Sequence, residues 1–189
     1  MKTLVFLLLT LCQIHAETGE SIVTAARKQI GVTTSYVPDY VQLEFPNGDV
    51  PRSGGVCTDV VIRALRDGLS RDLQKLVNED MRGNFSAYPK NWGLSRPDKN
   101  IDHRRVPNLR TFFKRQGFEQ PLPKVGEAAK FLPGDLVTCT VPPHLPHIMI
   151  VSDRKSAAGV PFVIHNIGGG TREEDRLFEF ALTGHYRLK

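Results

Sequence analysis

The chain has 189 residues, of which 40% are hydrophobic and 24% are charged, and its formal net charge at pH 7 is +5. These values exclude a disordered chain and predict one domain with a sizeable apolar core. The charge is mild and lacks the interleaved aromatic and basic residues of a nucleic-acid-binding protein, so no nucleic-acid partner is expected. A weak positive charge suits a protein that works beside an anionic cell wall.

The first sixteen residues have the pattern of a secretory signal peptide. Lys2 precedes an apolar run over residues 4–11, and Ala16 supplies a small residue for cleavage. The run is too short for a stable membrane span, so no stable membrane insertion is expected, and a retained anchor is the weaker alternative. Cleavage near Ala16 predicts a periplasmic or secreted protein. It lowers the formal net charge to +4, because residues 1–16 contain one lysine and no acid.

Three cysteines are present, and Cys12 lies in the predicted signal peptide. The mature chain would keep Cys57 and Cys139. Two cysteines are a weak disulfide framework for a domain of this length, so both are expected to be free thiols. Cys139 lies in a strand-like segment and is expected to be a core residue.

Helical patterns dominate the first two-thirds of the chain. Ser21 is a suitable N-cap for a helix that ends before Gly31, and Ser70 is a suitable N-cap for a later helix. The later helix carries Leu73, Leu76, Val77 and Met81 on one side. The other predicted helices cover residues 21–30, 57–68 and 107–116, and the predicted irregular stretches cover residues 32–54 and 83–107.

Strand patterns follow in the last third, where segments rich in β-branched residues are bounded by Pro and Gly. Helices first and strands later predict an α+β domain, with N-terminal helices packed on a small antiparallel sheet. Residues 17–189 are expected to form this single domain. Glu173-Glu174-Asp175 is expected to be a solvated helix start. The predicted strands are Asp135–Thr140, Ile148–Ser152 and Pro161–His165, with a closing strand over Gly184–Leu188.

Cys57 is the strongest candidate for a catalytic residue. It follows Gly54-Gly55-Val56 and opens a helical pattern, which places it in a first helical turn. Unpaired N–H groups and the helix dipole at such a position favour a thiolate and lower the pKa of a cysteine from about 8.5. The competing interpretation is a buried cysteine that packs as a small apolar residue.

Two histidines occupy matching positions on neighbouring predicted strands. His147 starts one strand and His165 ends the next, so a hairpin would bring the two rings together at one edge of the sheet. A nucleophilic cysteine needs a base, and that base needs a polar group that fixes its orientation. Asn166 is an alternative to His165 as the orienting residue.

The order of these motifs resembles that of the NlpC-type papain-like cell-wall peptidases. The matching segments are the cysteine at a helix start, Pro133-Gly134-Asp135, the strand from His147 to Val151, and Val163-Ile164-His165. The resemblance implies that Cys57 is the nucleophile, His147 the base and His165 the third member of a triad. It also implies a papain-like fold and places Tyr36 near the oxyanion hole, where Tyr40 competes for the same role.

Residues 20–189 also resemble an uncharacterised family of secreted bacterial proteins within this superfamily. The matching stretches are residues 55–61, 100–108, 145–147 and 165–168. The chain departs from the better-known peptidases at Val56, where they have Asp, and at Thr58-Asp59, where they have Ser-Gly. The papain-type Cys-Gly-Ser-Cys-Trp signature is absent.

These observations predict a cysteine peptidase or amidase that cleaves peptidoglycan stem peptides or cross-links through an acyl-enzyme. The expected substrate is a peptidoglycan peptide, the expected protein is a monomer, and no cofactor or metal is expected. Arg104 and Arg105 are candidate clamps for substrate carboxylates, and a salt-bridged loop anchor is the equally weighted alternative.

Three other functions remain open from the sequence. A thiol acyltransferase would form the same acyl-enzyme and pass it to an amine. A zinc site built from Cys57, His147 and His165 would have suitable ligands but lacks the usual short spacings. A wall-binding module would keep the fold without activity.

Overall fold

A computed structural model describes residues 17–189, and the predicted signal peptide lies outside the described residues. A parallel pair of short strands, β1 and β2, accompanies a five-stranded antiparallel sheet with strand order β6-β5-β4-β3-β7. The helices are α1 (residues 17–27), α2 (Cys57–Leu69), α3 (Leu73–Asn84) and α4 (Val106–Arg115). The strands are β1 (Ser35–Tyr36), β2 (Gly54–Gly55), β3 (Leu136–Val141), β4 (Leu145–Lys155), β5 (Pro161–Asn166), β6 (Thr171–Glu174) and β7 (Ala181–Tyr186).

The mixed helix-and-sheet architecture and the antiparallel sheet confirm the predicted α+β class. Each face of the sheet has its own apolar cluster, because alternate residues of a strand point to opposite faces. Ile148, Ile150 and Ile164 pack with the helices, whereas Val137, Met149 and Val163 belong to a second cluster on the other face. Within residues 17–189 no helix combines the length and hydrophobicity needed to cross a membrane.

Two predicted helix caps are wrong. Ser21 lies inside α1, which already contains residue 17. Ser70 ends α2 with φ of +53°, and Asp72 caps α3 by accepting a hydrogen bond from the Gln74 amide at 3.0 Å. A left-handed residue closes a helix, and the aspartate two residues later supplies the acceptor that starts the next one. Leu76 is also misplaced, since it is 37% exposed.

The predicted strand pattern missed one edge of the sheet. Residues 173–175, expected as a helix start, instead include the end of β6, which pairs with β5. The sequence of β6 is polar, because an edge strand needs no alternation of apolar residues, so the sequence pattern did not indicate a strand. The closing strand is also shifted, and β7 covers Ala181–Tyr186. The other predicted strands and the helix opened by Pro107 are confirmed within a few residues.

Candidate active site

Cys57 is the first residue of α2, as the sequence predicts, and it is 4% exposed. Its thiol accepts hydrogen bonds from backbone amides of the helix start and from the amide of Ile148 on β4. Ile148 follows His147 in the chain, so the sulfur lies against the strand that carries the expected base. Between Cys57 and His147 no direct hydrogen bond is formed; the contact with β4 passes through the Ile148 amide.

The predicted lowering of the Cys57 pKa is not found. Burial raises the pKa of this thiol to about 11, and the nearby carboxylate of Asp59 raises it further. The backbone amides oppose this effect but do not overcome it. Cys57 is therefore a neutral thiol at pH 7 and needs a base that removes its proton.

His147 and His165 meet on the hairpin formed by β4 and β5, at one end of the two strands. His147 Nε2 lies 2.8 Å from His165 Nδ1, and the two rings are in edge contact with centroids 5.0 Å apart. His165 Nε2 lies 3.2 Å from the carboxylate of Glu174 on β6. The three side chains form a continuous hydrogen-bonded series across three neighbouring strands. Glu174 belongs to the segment whose sequence predicted a solvated helix start.

This series fixes the tautomers of both histidines. A carboxylate accepts hydrogen bonds, so His165 carries its proton on Nε2 and its Nδ1 is an acceptor. His147 must then donate from Nε2, which leaves Nδ1 of His147 as the unprotonated nitrogen.

Burial keeps both histidines neutral. It lowers the pKa of His147 to about 3, with the neighbouring His165 contributing, and it lowers the pKa of His165 despite the opposing carboxylate of Glu174. A neutral imidazole with a free Nδ1 is the form that can accept a proton. The pair also lies beside the second cysteine, because Cys139 is directly opposite His147 in the β3–β4 register.

Asp59 and Arg104 hold the start of α2 in place. Asp59 accepts the Val56 amide at 2.7 Å, and both of its carboxylate oxygens bind the Arg104 guanidinium at 2.9 Å. Arg104 also donates to the carbonyls of Val37 and Asp39. All three guanidinium nitrogens are thereby engaged within the protein, so Arg104 is a loop anchor and the predicted carboxylate clamp does not fit it.

Arg105 and Asn166 also make structural contacts. Arg105 donates to Asp102 at 3.0 Å and stacks 4.0 Å above the ring of Trp92. Asn166 donates to the carbonyls of Ser35 and Gly55 at 3.1 and 3.0 Å and accepts the Gly168 amide. It ties β1 and β2 to the end of β5 and makes no hydrogen bond to His147, whereas His165 contacts the His147 ring nitrogen.

A cleft of about 470 Å³ leads to Cys57. Tyr36 lines it, and the burial of its hydroxyl together with the nearby Cys57 raises the pKa of Tyr36 to about 12. A neutral phenol at this position can donate a hydrogen bond. Trp92 and His144 also line the cleft, and the sequence pattern gave His144 no role. The other lining residues are Pro38, Val56, Asn91, Ile101, Arg104, Val106, Pro107 and Pro146.

The described residues contain no group of three or more His, Cys, Asp or Glu side chains arranged to hold a metal ion. The donor geometry among residues 17–189 therefore gives no support to a zinc site formed by Cys57, His147 and His165. Cys57 and Cys139 are both free thiols.

Comparison with known proteins gives an uncharacterised relative and solved structures of a protein with a named activity. The uncharacterised protein YijF of Escherichia coli (strain K12) is 53% identical over 178 residues, which cover 94% of this chain and 85% of that protein. Two crystal structures of an N-acetylmuramoyl-L-alanine amidase from Bacteroides uniformis ATCC 8492 have a TM-score of 0.54 and 13% identity, and cover 91% of this chain and 99% of theirs. At that identity the similarity shows a shared fold.

The family model described as "Domain of unknown function (DUF1287)" matches residues 23–188, almost the whole part of the chain that the structure describes. This chain therefore belongs to the DUF1287 family.

Proposed function

We propose that this protein is a secreted cysteine hydrolase of the NlpC-type papain-like class that cleaves amide bonds in peptidoglycan peptides. The observation that carries the proposal is the juxtaposition of Cys57 with the first residues of β4. The Cys57 thiol at the start of α2 lines the cleft and contacts the Ile148 amide beside His147. His147 contacts His165, and His165 contacts the Glu174 carboxylate. Nucleophile, base and orienting groups are the parts that acyl transfer by cysteine requires.

The chemistry begins with two neutral groups. The Cys57 proton moves to Nδ1 of His147, directly or through one water, and the sulfur attacks the substrate carbonyl carbon as the carbonyl electrons move to oxygen. His165 and Glu174 stabilise the imidazolium that forms. In this mechanism the Cys57 amide and the Tyr36 hydroxyl donate hydrogen bonds to the oxyanion.

Collapse of the tetrahedral adduct breaks the C–N bond, and the His147 imidazolium gives its proton to the leaving amine. A thioester then joins the acyl group to Cys57. Water, deprotonated by His147, attacks this thioester, and the carboxylic acid leaves as the Cys57 thiol is restored. Atoms and protons balance without a cofactor.

Two further considerations support the substrate and the location. The chain shares its fold with a protein named as an N-acetylmuramoyl-L-alanine amidase, and that name describes cleavage of an amide bond in peptidoglycan. The signal-like pattern of residues 1–16 supports export and cleavage near Ala16. We propose a monomeric catalytic domain over residues 17–189.

The test is digestion of purified peptidoglycan by the wild-type protein and its Cys57→Ala variant, with the products identified by mass spectrometry. We expect new peptide fragments from the wild type and none from Cys57→Ala. Cys139→Ala is the matched control, because it removes the other buried thiol beside His147, and it should retain activity. Products from Cys57→Ala, or none from the wild type, would overturn the proposal; retained binding to intact cell walls would then favour a wall-binding module.

A further inference from the structure

A second cavity, of about 690 Å³, lies beside the cleft that leads to Cys57. We call this cavity the basic groove. Three segments that line the cleft also supply residues of the groove: Tyr40 lies two residues after Pro38, Leu94 lies two residues after Trp92, and Asn100 directly precedes Ile101. Neighbouring residues of a chain are only about 3.8 Å apart. An extended ligand lying in the cleft can therefore continue into the basic groove.

The groove carries three cations, Arg82, Arg96 and Lys99, whose side chains are exposed. None of the three forms an ion pair with any residue between positions 17 and 189, and Lys99 only approaches the ring of Phe45 at 5.7 Å. Arginines elsewhere in the fold, such as Arg27 and Arg104, are engaged by carboxylates. Three exposed cations without a carboxylate partner among residues 17–189 therefore line one cavity.

The acidic residue of the groove does not neutralise these cations. Asp98 accepts the Tyr40 hydroxyl at 3.0 Å and the Asn100 amide at 2.9 Å, so both of its oxygens are used in holding the wall together. One carboxylate also leaves an excess of two positive charges among the lining side chains. An anionic ligand is the chemistry that this balance favours.

The wall between the cleft and the basic groove is fixed in advance. The Asn100 side-chain amide donates to the Tyr40 hydroxyl at 2.9 Å, and its carbonyl accepts the Leu43 amide at 3.0 Å. These contacts join the 40–43 segment to the 98–100 segment. A preformed wall requires little ordering when a ligand binds, which favours affinity.

We propose that the basic groove binds carboxylates of the peptide whose scissile amide lies at Cys57. This assignment rests on the proposed function, since the anionic group belongs to the same peptide. It assigns substrate carboxylate recognition to Arg82, Arg96 and Lys99 and removes it from Arg104, whose guanidinium is already engaged. Peptides with free carboxylates are therefore the preferred class, and their amidated forms are poorer ligands.

Binding is measured with the Cys57→Ala protein, so that turnover plays no part. The probes are soluble peptides released from purified peptidoglycan and the same peptides with their carboxylates converted to primary amides. Calorimetry measures the binding of both peptide forms to three proteins. The first is Cys57→Ala alone. The groove variant adds Arg82→Gln, Arg96→Gln and Lys99→Gln to it, and the control variant adds Lys28→Gln, Lys124→Gln and Lys155→Gln. The last set removes the same positive charge from exposed lysines outside both cavities.

We expect free-carboxylate peptides to bind about tenfold more tightly than amidated ones at low salt, through several weak exposed ion pairs. The groove variant should lose this difference, the control variant should keep it, and high salt should reduce it. In the active protein the groove variant should raise KM without changing kcat. Equal binding of both peptide forms, or equal losses in groove and control variants, would overturn the proposal. Binding as expected without hydrolysis by the wild type would instead refute the proposed function.

Discussion

The two buried thiols described in this protein both lie near β4 and yet have different surroundings. Cys139 lies directly opposite His147 on β3 and packs in an apolar cluster with Val137 and Met149. Cys57 lies at a helix start, accepts hydrogen bonds from backbone amides and lines a cleft. Burial raises the pKa of both thiols, to about 12 for Cys139 and about 11 for Cys57. Access and directed N–H groups, not burial, separate a candidate nucleophile from a core residue.

The largest effect on the surroundings of Cys57 is expected from the removal of Asp59. Asp59→Ala leaves the buried Arg104 cation unpaired and the Val56 amide without its acceptor. We expect the free energy of unfolding to fall by about 3–5 kcal/mol, measured by urea denaturation. Asp67→Asn breaks the exposed pair with Arg52 and should cost less than about 1 kcal/mol. Similar losses in the two variants would contradict the role given to Asp59.

Alkylation rates sharpen the difference between the thiols. Iodoacetamide should modify Cys57, which lines the cleft, before Cys139, which is 1% exposed. Because the pKa of Cys57 is raised to about 11, its thiolate fraction grows tenfold per pH unit below that value. The rate should therefore rise about 100-fold between pH 7 and 9. A rate that is flat over this range would indicate a preformed thiolate. Peptide mapping by mass spectrometry assigns the modified cysteine.

Acid should destabilise the fold through the histidine pair. The unfolded chain binds protons at histidine near pH 6.5, whereas burial lowers the pKa of folded His147 to about 3. Stability is therefore lost as the pH falls below about 6.5, with up to about 1.4 kcal/mol per pH unit from this residue, and the loss levels off near pH 3. His147→Gln should show a shallower decline of Tm between pH 6.5 and 4.5 than the wild type. The same slope of Tm against pH in both proteins would contradict this prediction. The control is His144→Gln, which changes an exposed histidine and should keep the wild-type slope.

Glu174→Gln should have the smallest effect. It keeps a hydrogen-bond acceptor near His165 but removes the negative charge that, in the proposed mechanism, stabilises the His147 imidazolium. Because the Glu174 side chain is partly exposed, we expect a several-fold fall in kcat, short of tenfold, with KM unchanged. Glu179→Gln is the matched control, since Glu179 also pairs with Arg176 but makes no hydrogen bond to His165. Equal effects of the two changes on peptidoglycan digestion would remove Glu174 from the proposed series.

Local patterns predicted the start of α2 at Cys57 and the strands that carry His147 and His165. Each depends on a short run of residues with a regular period, so the sequence is sufficient. The role of Glu174 was missed because a polar edge strand has no such period. Asp59 and Arg104 are 45 residues apart, and nothing local marks them as partners. The direction of the Cys57 pKa shift was also wrong, because the helix start is visible in the sequence and the packing over it is not.

The Asn166 contact with Ser35 joins residues 131 positions apart, and the Arg104 contact with Val37 joins residues 67 positions apart. Such distant pairings carry a large loop-closure cost and tend to form late, after local helices and hairpins. The surroundings of Cys57 are therefore completed near the end of folding. A chain that is still partly unfolded has its helices and hairpin but lacks the assembled surroundings of Cys57.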